Sequence, residues 1–368
     1  MSPTVETDKR FMALALALGR RNLGRTWPNP AVGAVVVQDG LIIGRGWTQP
    51  GGRPHAETEA LTRAGAAARS GTLYVSLEPC SHHGRTPPCA DAIIAAGIAR
   101  VVSPMADPNP RVAGKGHWNL AEAGLVVEVG IGAEEARRAH AGHIRRMLDG
   151  RPHAILKLAV SGDGKVALSG RRPVGITGEA ARRRVHLMRA MSDAVATGIG
   201  TVLADDPQLT CRLPGMHSPV RIVFDANLRL SPGSRLVASA STTPVWVVTG
   251  AGAPQSSELA LKARAVEVLR VAEAAGRIDL ASAMKLLAGR GLTRVLFETG
   301  PVLTTALLKA DLVDEAVLFR SPTMIGPGGI DALEGLPLSA LIDSPRLRRV
   351  GAEAAGPDSV ETFERAVA

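Results

Sequence analysis

"RPHAETEALTRAG" (53–65) and, a little further on, "LEPCSHHGRTPPCADAII" (77–94) hold a histidine, a glutamate and two cysteines in a suggestive order. Pro54 suits the first turn of a helix. That reading places His55 and Glu57 in a turn whose backbone N–H groups are free. Pro79 precedes Cys80 at the end of an expected strand, and Pro87-Pro88 precede Cys89 at the start of an expected helix. A helix N-terminus favours the thiolate, the form that binds metal. His55, Cys80 and Cys89 then offer three soft or borderline ligands and leave a fourth position for water, as catalytic zinc does. Zinc lowers the pKa of such a water toward ~7. The resulting hydroxide attacks an amidine-like ring carbon that bears an amino group. A carboxylate must carry the proton to the ring nitrogen and on to the departing ammonia, and Glu57 is the candidate. The plain readings are a capping histidine and two cysteines acting as small buried hydrophobes. The joint pattern favours metal.

His55-Ala56-Glu57 with Pro79-Cys80 fits the H-x-E and P-C-x-x-C signature of zinc nucleobase deaminases. One spacing departs from it: eight residues, not two, separate Cys80 from Cys89.

Working outward, "AVGAVVVQDGLIIGRGW" (31–47) reads as two strands about Gln38-Asp39-Gly40. A helix is expected over 55–69, a buried strand over 71–79 and a helix over 89–98 with a stop at Gly97. Further strands follow at 99–105 and 124–130, then one polar helix over 132–152. A helix around Phe11–Leu18 reads as part of the fold, not as a signal peptide. Strand–helix alternation implies an α/β layered domain. With 368 residues, two domains are expected. The boundary falls after Asp149-Gly150, giving 1–149 and 150–368.

The 45% hydrophobic and 21% charged content is that of a globular protein. Three cysteines make no disulfide framework, and a close pair in a cytosolic chain points to metal or catalysis. No apolar run approaches the ~20 residues that span a bilayer. The expected location is the cytoplasm. The net charge of +9 is spread over both halves, and aromatics are only 3%. That pattern suits anionic small ligands better than a nucleic-acid surface or a row of stacked bases.

The second half alternates again, with strands expected at 154–160, 193–198, 220–225, 244–249, 293–297 and 315–319. Helices are expected at 179–191, 277–289 and 302–309. "GIGTVL" (198–203) has only the first two glycines of G-x-G-x-x-G, which argues against a Rossmann domain. "SGDGK" (161–165) reads as a turn whose amides can approach a ligand, or as an ordinary hairpin turn. Gly300-Pro301 opens a helix, a ready anion site. Arg189 and Arg212 can hold a phosphate, or can simply be solvated.

"HAETEAL", "SLEPCSHHGRTPPCADAIIAAGIARVV" and "DPNPRVAGKG" together resemble the bifunctional deaminase–reductase family of riboflavin biosynthesis, as does "TWPNPAVGAVVVQDGLIIGRGW". The likeness runs across the whole chain and is tighter in the first half. The long loop between the cysteines is that family's variant of the zinc signature. The resemblance implies an α/β architecture: a cytidine-deaminase-like zinc domain followed by a dihydrofolate-reductase-like domain. It implies zinc on His55, Cys80 and Cys89, proton transfer by Glu57, and substrate near Asn29 and His82. For the second half it implies NADPH contacts from Val160, Thr201, Asp205 and the segment Gly300, Pro301, Val302, Leu303, Thr304, Thr305 and Ala306. It implies substrate contacts from Arg189, Leu209, Arg212 and Glu298, with Lys157 and Asp163 as neighbours. The implied reactions are deamination of 2,5-diamino-6-ribosylamino-4(3H)-pyrimidinone 5′-phosphate, then reduction of the ribosylamino side chain to ribitylamino. The implied partners are phosphorylated pyrimidines and further copies of the chain, as a homodimer or homotetramer.

The chain departs from the family pattern at Gly162, where a larger apolar residue is frequent. It also departs at Gly175-Ile176-Thr177, where an aromatic commonly precedes Ile-Thr and the loop is one residue longer. Both bear on packing around the nicotinamide. Three other readings stay open on the residues alone. One is a deaminase acting on nucleic acid. Another is a zinc-stabilised module closed by His82 or His83, in which Glu57 has no task. The last is a chain with one half reduced to a scaffold.

Overall fold

The computed structural model describes residues 4–84, 87–110, 112–274 and 276–366. Arg85, Thr86 and Arg111, quoted above within motifs, lie outside them. The chain divides into two compact units, Met1–Gly150 and Arg151–Ala368.

In the first unit, β1 (Gly33–Gln38) and β2 (Leu41–Trp47) form the expected hairpin. Asp39 and Gly40 make its turn with φ of 49° and 77°, the left-handed pair that a two-residue hairpin loop demands. With β3 (Thr72–Val75), β4 (Arg100–Ser103) and β5 (Val126–Val129), the sheet order is β2-β1-β3-β4-β5. The first three are antiparallel and the last three parallel. Side chains alternate along β1. Ala34 and Val36 pack with Ala60, Leu61 and Ile93, whereas Val35 and Val37 pack with Phe11, Met12 and Leu16. These are the layers of α2 (Ala56–Ala64) and α3 (Cys89–Ala95) on one face and α1 (Val5–Gly19) on the other. Helix α2 sits so close to β2 that a Cβ at Gly46 would lie 2.1 Å from the Ala56 carbonyl oxygen.

Three expectations need correction here. Pro54 lies outside α2: His55 is the N-cap and Ala56 the first helical residue. The strand expected over 71–79 pairs only from Thr72 to Val75. Ser76 adds two bonds with Gly33, its N–H donating to the Gly33 carbonyl and its hydroxyl accepting from the Gly33 N–H, and Leu77 to Cys80 leave as a loop. The helix expected over 132–152 is two helices, α5 (Ala133–Ala139) and α6 (Ala141–Asp149), after an unforeseen α4 (Lys115–Glu122). The break is at His140, whose buried ring donates from Nε2 to the Ser76 carbonyl at 2.7 Å.

The second unit holds a nine-stranded sheet. Its order runs Val266–Val271, Val245–Gly250, Val220–Phe224, Ala194–Gly198, Arg294–Glu298, His153–Val160, Glu315–Arg320, Asp358–Arg365, Leu347–Ala355. The first seven are parallel and the last two form an antiparallel hairpin at one edge. All six expected strands are present within a residue or so. The strand Val266–Val271, the edge hairpin and the helices Ile199–Asp205 and Gln255–Lys262 were not foreseen. The helix expected from 277 begins at Leu280, capped by the Asp279 side chain accepting from the Ala281 amide.

The His140 ring is buried, its Nδ1 has no partner, and burial pushes its pKa down to about 4. The unfolded chain takes up this proton at a higher pH, near ~6.5. Stability is therefore complete above that value and falls as pH drops toward 4, by up to about 3 kcal/mol. Urea denaturation at pH 7 and pH 5 should show this loss, and His140→Gln, which keeps a donor for Ser76, should flatten it.

Candidate functional site

His55, as the N-cap of α2, has its ring outside the helix. Cys80 lies in the loop after β3, and Cys89 is the first residue of α3 behind Pro88. Their ligand atoms all lie within 4.8 Å of one another. His55 Nδ1 is 3.3 Å from Cys89 Sγ and 3.6 Å from Cys80 Sγ. Bonds of about 2.0–2.3 Å at tetrahedral angles set ligand atoms about 3.5–3.8 Å apart. One nitrogen and two sulfurs at these separations fit zinc. Among the described residues no fourth His, Cys, Asp or Glu joins the cluster. His82 and His83 are exposed.

The Cys89 backbone N–H donates to Cys80 Sγ at 3.3 Å. Hydrogen bonding from Cys89 pulls the Cys80 thiol down to about 4, against its burial. Cys89 is pushed up, because its thiol donates to Cys80 and is buried. The helix N-terminus was expected to favour the thiolate at Cys89. The first N–H of that helix is donated to the Cys80 sulfur. His55 is raised, first by its bond to Cys80. Glu57 is only 4% exposed; burial pushes its carboxyl up, with His55 pulling the other way. Asn29 donates to the Gly52 carbonyl at 2.8 Å, on the approach to His55.

In the second unit the carboxyl ends of the parallel strands open onto a cavity of about 800 Å³, the usual place for a ligand in such sheets. Thr201, Asp205, Leu209, Arg189, Glu298, Gly300, Pro301, Val302, Leu303 and Ala306 all line it, as does Lys157. Arg189 and Glu298 form a half-buried two-pronged pair, Nε–Oε1 2.5 Å and Nη2–Oε2 2.9 Å. Burial raises the Glu298 carboxyl, but Arg189, with Lys157 and His186, pulls the other way and the net shift is downward. Lys157 is pushed down by burial, with Glu298 opposing. Gly300 caps the helix Pro301–Lys309, and its N–H donates to Thr201 Oγ1 at 3.2 Å. Leu209 meets the cavity with φ of 53°, a left-handed conformation strained for a bulky residue.

Other expected positions are not on the cavity wall. Val160 is buried beside it. Thr304 bonds Thr299, and Thr305 accepts from the Glu334 amide. Arg212 is exposed, and its backbone N–H donates to His186 Nδ1 at 3.3 Å. The 161–165 turn spends its polar groups on itself and on 323–326: Asp163 accepts from Ser161 Oγ and from the amides of Ile325 and Gly326. It is a self-bonded turn, the Ser161 N–H donating to the Lys165 carbonyl, but not a hairpin turn, because Lys165–Ala167 pairs with Ile330–Asp331 and not with His153–Val160. Arg171, Arg182, Arg229 and Arg277, which no motif marked, line the cavity. Glu78, quoted in "SLEPC" but given no role, is treated below.

Two family models match the chain: "Cytidine and deoxycytidylate deaminase zinc-binding region" over 5–105 and "RibD C-terminal domain" over 152–360. Fold and site thus define a deaminase-type zinc unit joined to a reductase-type unit. The chain is 41% identical over 366 residues to the riboflavin biosynthesis protein RibD of Escherichia coli K12, covering 95% of this chain and 97% of that one. It is 39% identical over 361 residues to RibD of Aquifex aeolicus, covering 98% and 99%. The structure superposes on Acinetobacter baumannii RibD, form 1, with a TM-score of 0.88 at 35% identity, covering 99% and 100%. It superposes on a diaminohydroxyphosphoribosylaminopyrimidine deaminase/5-amino-6-(5-phosphoribosylamino)uracil reductase from Thermotoga maritima with 0.86 at 34%, covering 98% and 99%. The chain belongs to the RibD family, bifunctional deaminase–reductases of riboflavin biosynthesis.

Replacing Glu298 by Gln leaves the half-buried Arg189 charged and without its counter-ion. Breaking a fully buried pair costs about 3–5 kcal/mol; this pair faces the cavity, so Glu298→Gln should lower the stability of the second unit to urea by less, about 1–3 kcal/mol. A midpoint equal to wild type would show that the pair is not held as described.

Proposed function

We propose that the first unit hydrolyses the 2-amino group of 2,5-diamino-6-ribosylamino-4(3H)-pyrimidinone 5′-phosphate. The second unit then reduces 5-amino-6-(5-phosphoribosylamino)uracil to its ribitylamino form with NADPH. The observation that carries the reading is the convergence of His55 Nδ1, Cys80 Sγ and Cys89 Sγ beside buried Glu57. We assign these three as zinc ligands. Zinc, when bound, supplies a Lewis acid that activates water near neutral pH.

Glu57 takes one proton from the attacking water and hands it to the ring nitrogen, then moves the second from the hydroxyl of the resulting adduct to the leaving amine. The water oxygen bonds to the ring carbon, the C–N bond breaks, and ammonia leaves. Burial around Glu57 keeps bulk water from competing for that proton. Asn29 and His82 are assigned to substrate. The exposed position of His82 leaves it free to meet a ligand.

NADPH supplies the hydride for the second step. Thr201, Asp205 and the 300–306 helix start are assigned to it, with Val160, Thr304 and Thr305 acting from behind that wall. Pro301 brings no N–H, so the helix start offers its other free amides to a phosphate. Arg189, Leu209, Arg212 and Glu298 are assigned to the phosphorylated substrate.

The spread of charge supports small anionic ligands rather than nucleic acid. No helix among the described residues is long and apolar enough to cross a membrane. A cytoplasmic homodimer or homotetramer completes the proposal, and light scattering of the purified chain tests the assembly.

Glu57→Gln should lower the deamination rate by about 10²–10⁴-fold and leave reduction of the already deaminated substrate at the wild-type rate. Stripping metal with a chelator should do the same. Equal deamination by Glu57→Gln would remove Glu57 from the chemistry. Loss of both activities would contradict the assignment of one reaction to each unit.

A further inference from the structure

Helix α4 begins without a local cap. Its N-cap, Gly114, is in the left-handed region at φ 84°, and no side chain there accepts from the first turn. Free first-turn amides need an acceptor. The acceptor comes from Glu78, more than thirty residues earlier and two before the ligand Cys80. The Glu78 side chain is 4% exposed. Its Oε1 accepts from the amides of Gly116 (2.8 Å) and His117 (3.3 Å), and its Oε2 from Gly114 and Asp107 (both 2.8 Å). One carboxylate therefore gathers four backbone donors and faces the positive end of a helix.

The same helix start presses on the peptide before the ligand. A Cβ at Gly116 would fall 2.0 Å from the Pro79 carbonyl oxygen, so the first turn of α4 lies against the backbone that leads into Cys80. Helix α3 also holds Cys80: the Ala90 amide donates to its carbonyl and the Cys89 amide to its sulfur. The clamp extends outward through Asp107, whose Oδ1 accepts from the Asn109 amide and from buried His143 Nε2 of α6.

We propose that Glu78 is a positioning residue for the metal centre: its carboxylate locks the start of α4 onto the Cys80 loop and so fixes where the Cys80 sulfur points. The proposal rests on the zinc reading of His55, Cys80 and Cys89. A neutral amide in its place keeps the shape but puts an N–H₂ group among converging N–H donors, which leaves some of them without an acceptor. The Cys80 loop then loses one of its two anchors.

The test is zinc affinity of the full-length chain, by competition with a coloured chelator, for wild type and Glu78→Gln, together with the absorption spectrum of the cobalt-substituted proteins. Glu78→Gln should bind zinc about 10–100-fold more weakly, the range for groups that orient a ligand. Its sulfur-to-cobalt bands should shift, while reductase activity in the same sample is unchanged. Zinc affinity and cobalt spectrum equal to wild type would overturn the proposal, even if the melting temperature falls. A wild-type chain that takes up no zinc would sink the metal reading and this proposal with it. If Glu78→Gln does not fold, hydrogen exchange on the native chain decides. Removing zinc should speed exchange at the Gly114, Gly116 and His117 amides more than at those of Val35 and Val36. No such selectivity would overturn the proposal.

Discussion

Two thiol sulfurs and an imidazole nitrogen drawn to within 4.8 Å of one another form an arrangement that burial alone does not favour. Much of the first unit exists to hold them there. Each comes from a different chain segment: the cap of α2, the loop after β3 and the first residue of α3. The two flanking helices must therefore be fixed on the sheet to a fraction of an ångström. The close approach of α2 to β2 over Gly46 does this for His55 and Glu57. The first N–H groups of α3 do it for Cys80. The neighbouring Glu57 carboxyl is buried, in a dry environment where a transferred proton is not lost to solvent.

The second unit solves a different problem with the same layered architecture. It has no glycine-rich dinucleotide loop. Four of its seven parallel strands, His153–Val160, Ala194–Gly198, Val220–Phe224 and Arg294–Glu298, contribute to the lining of one cavity, and the Arg189–Glu298 pair stands in its wall. A largely desolvated pair of this kind is poor evidence for stability, since its desolvation offsets much of its attraction. It does fix two charged groups in one orientation on the cavity wall.

The first unit was largely legible because its chemistry is local in sequence. His55 and Glu57 share a turn, prolines flank both cysteines, and the Asp39-Gly40 hairpin declares itself. What was missed depended on distant partners. Helix α4 carries no cap of its own and borrows Glu78. The break at His140 follows from a bond to the Ser76 carbonyl. In the second unit the edge hairpin 347–365 escaped notice because its outer strand is mostly exposed, rich in Ala and Arg, and lacks apolar alternation. The assigned cofactor segment Gly300–Ala306 was legible only as a family pattern. Which of its residues face the cavity follows from the helix geometry: Gly300 to Leu303 and Ala306 do, while Thr304 and Thr305 turn inward.

The claim on which the rest stands is that one chain carries out two reactions in order. Mass spectrometry of 2,5-diamino-6-ribosylamino-4(3H)-pyrimidinone 5′-phosphate after incubation with the zinc-loaded protein tests it directly. Without NADPH the account predicts exchange of one amino group for oxygen and nothing more; with NADPH it predicts a further gain of two hydrogens. Deamination without the second gain would contradict the reductase assignment and point to the packing around Gly162 and Gly175. No change in the zinc-loaded protein would contradict the account at its root.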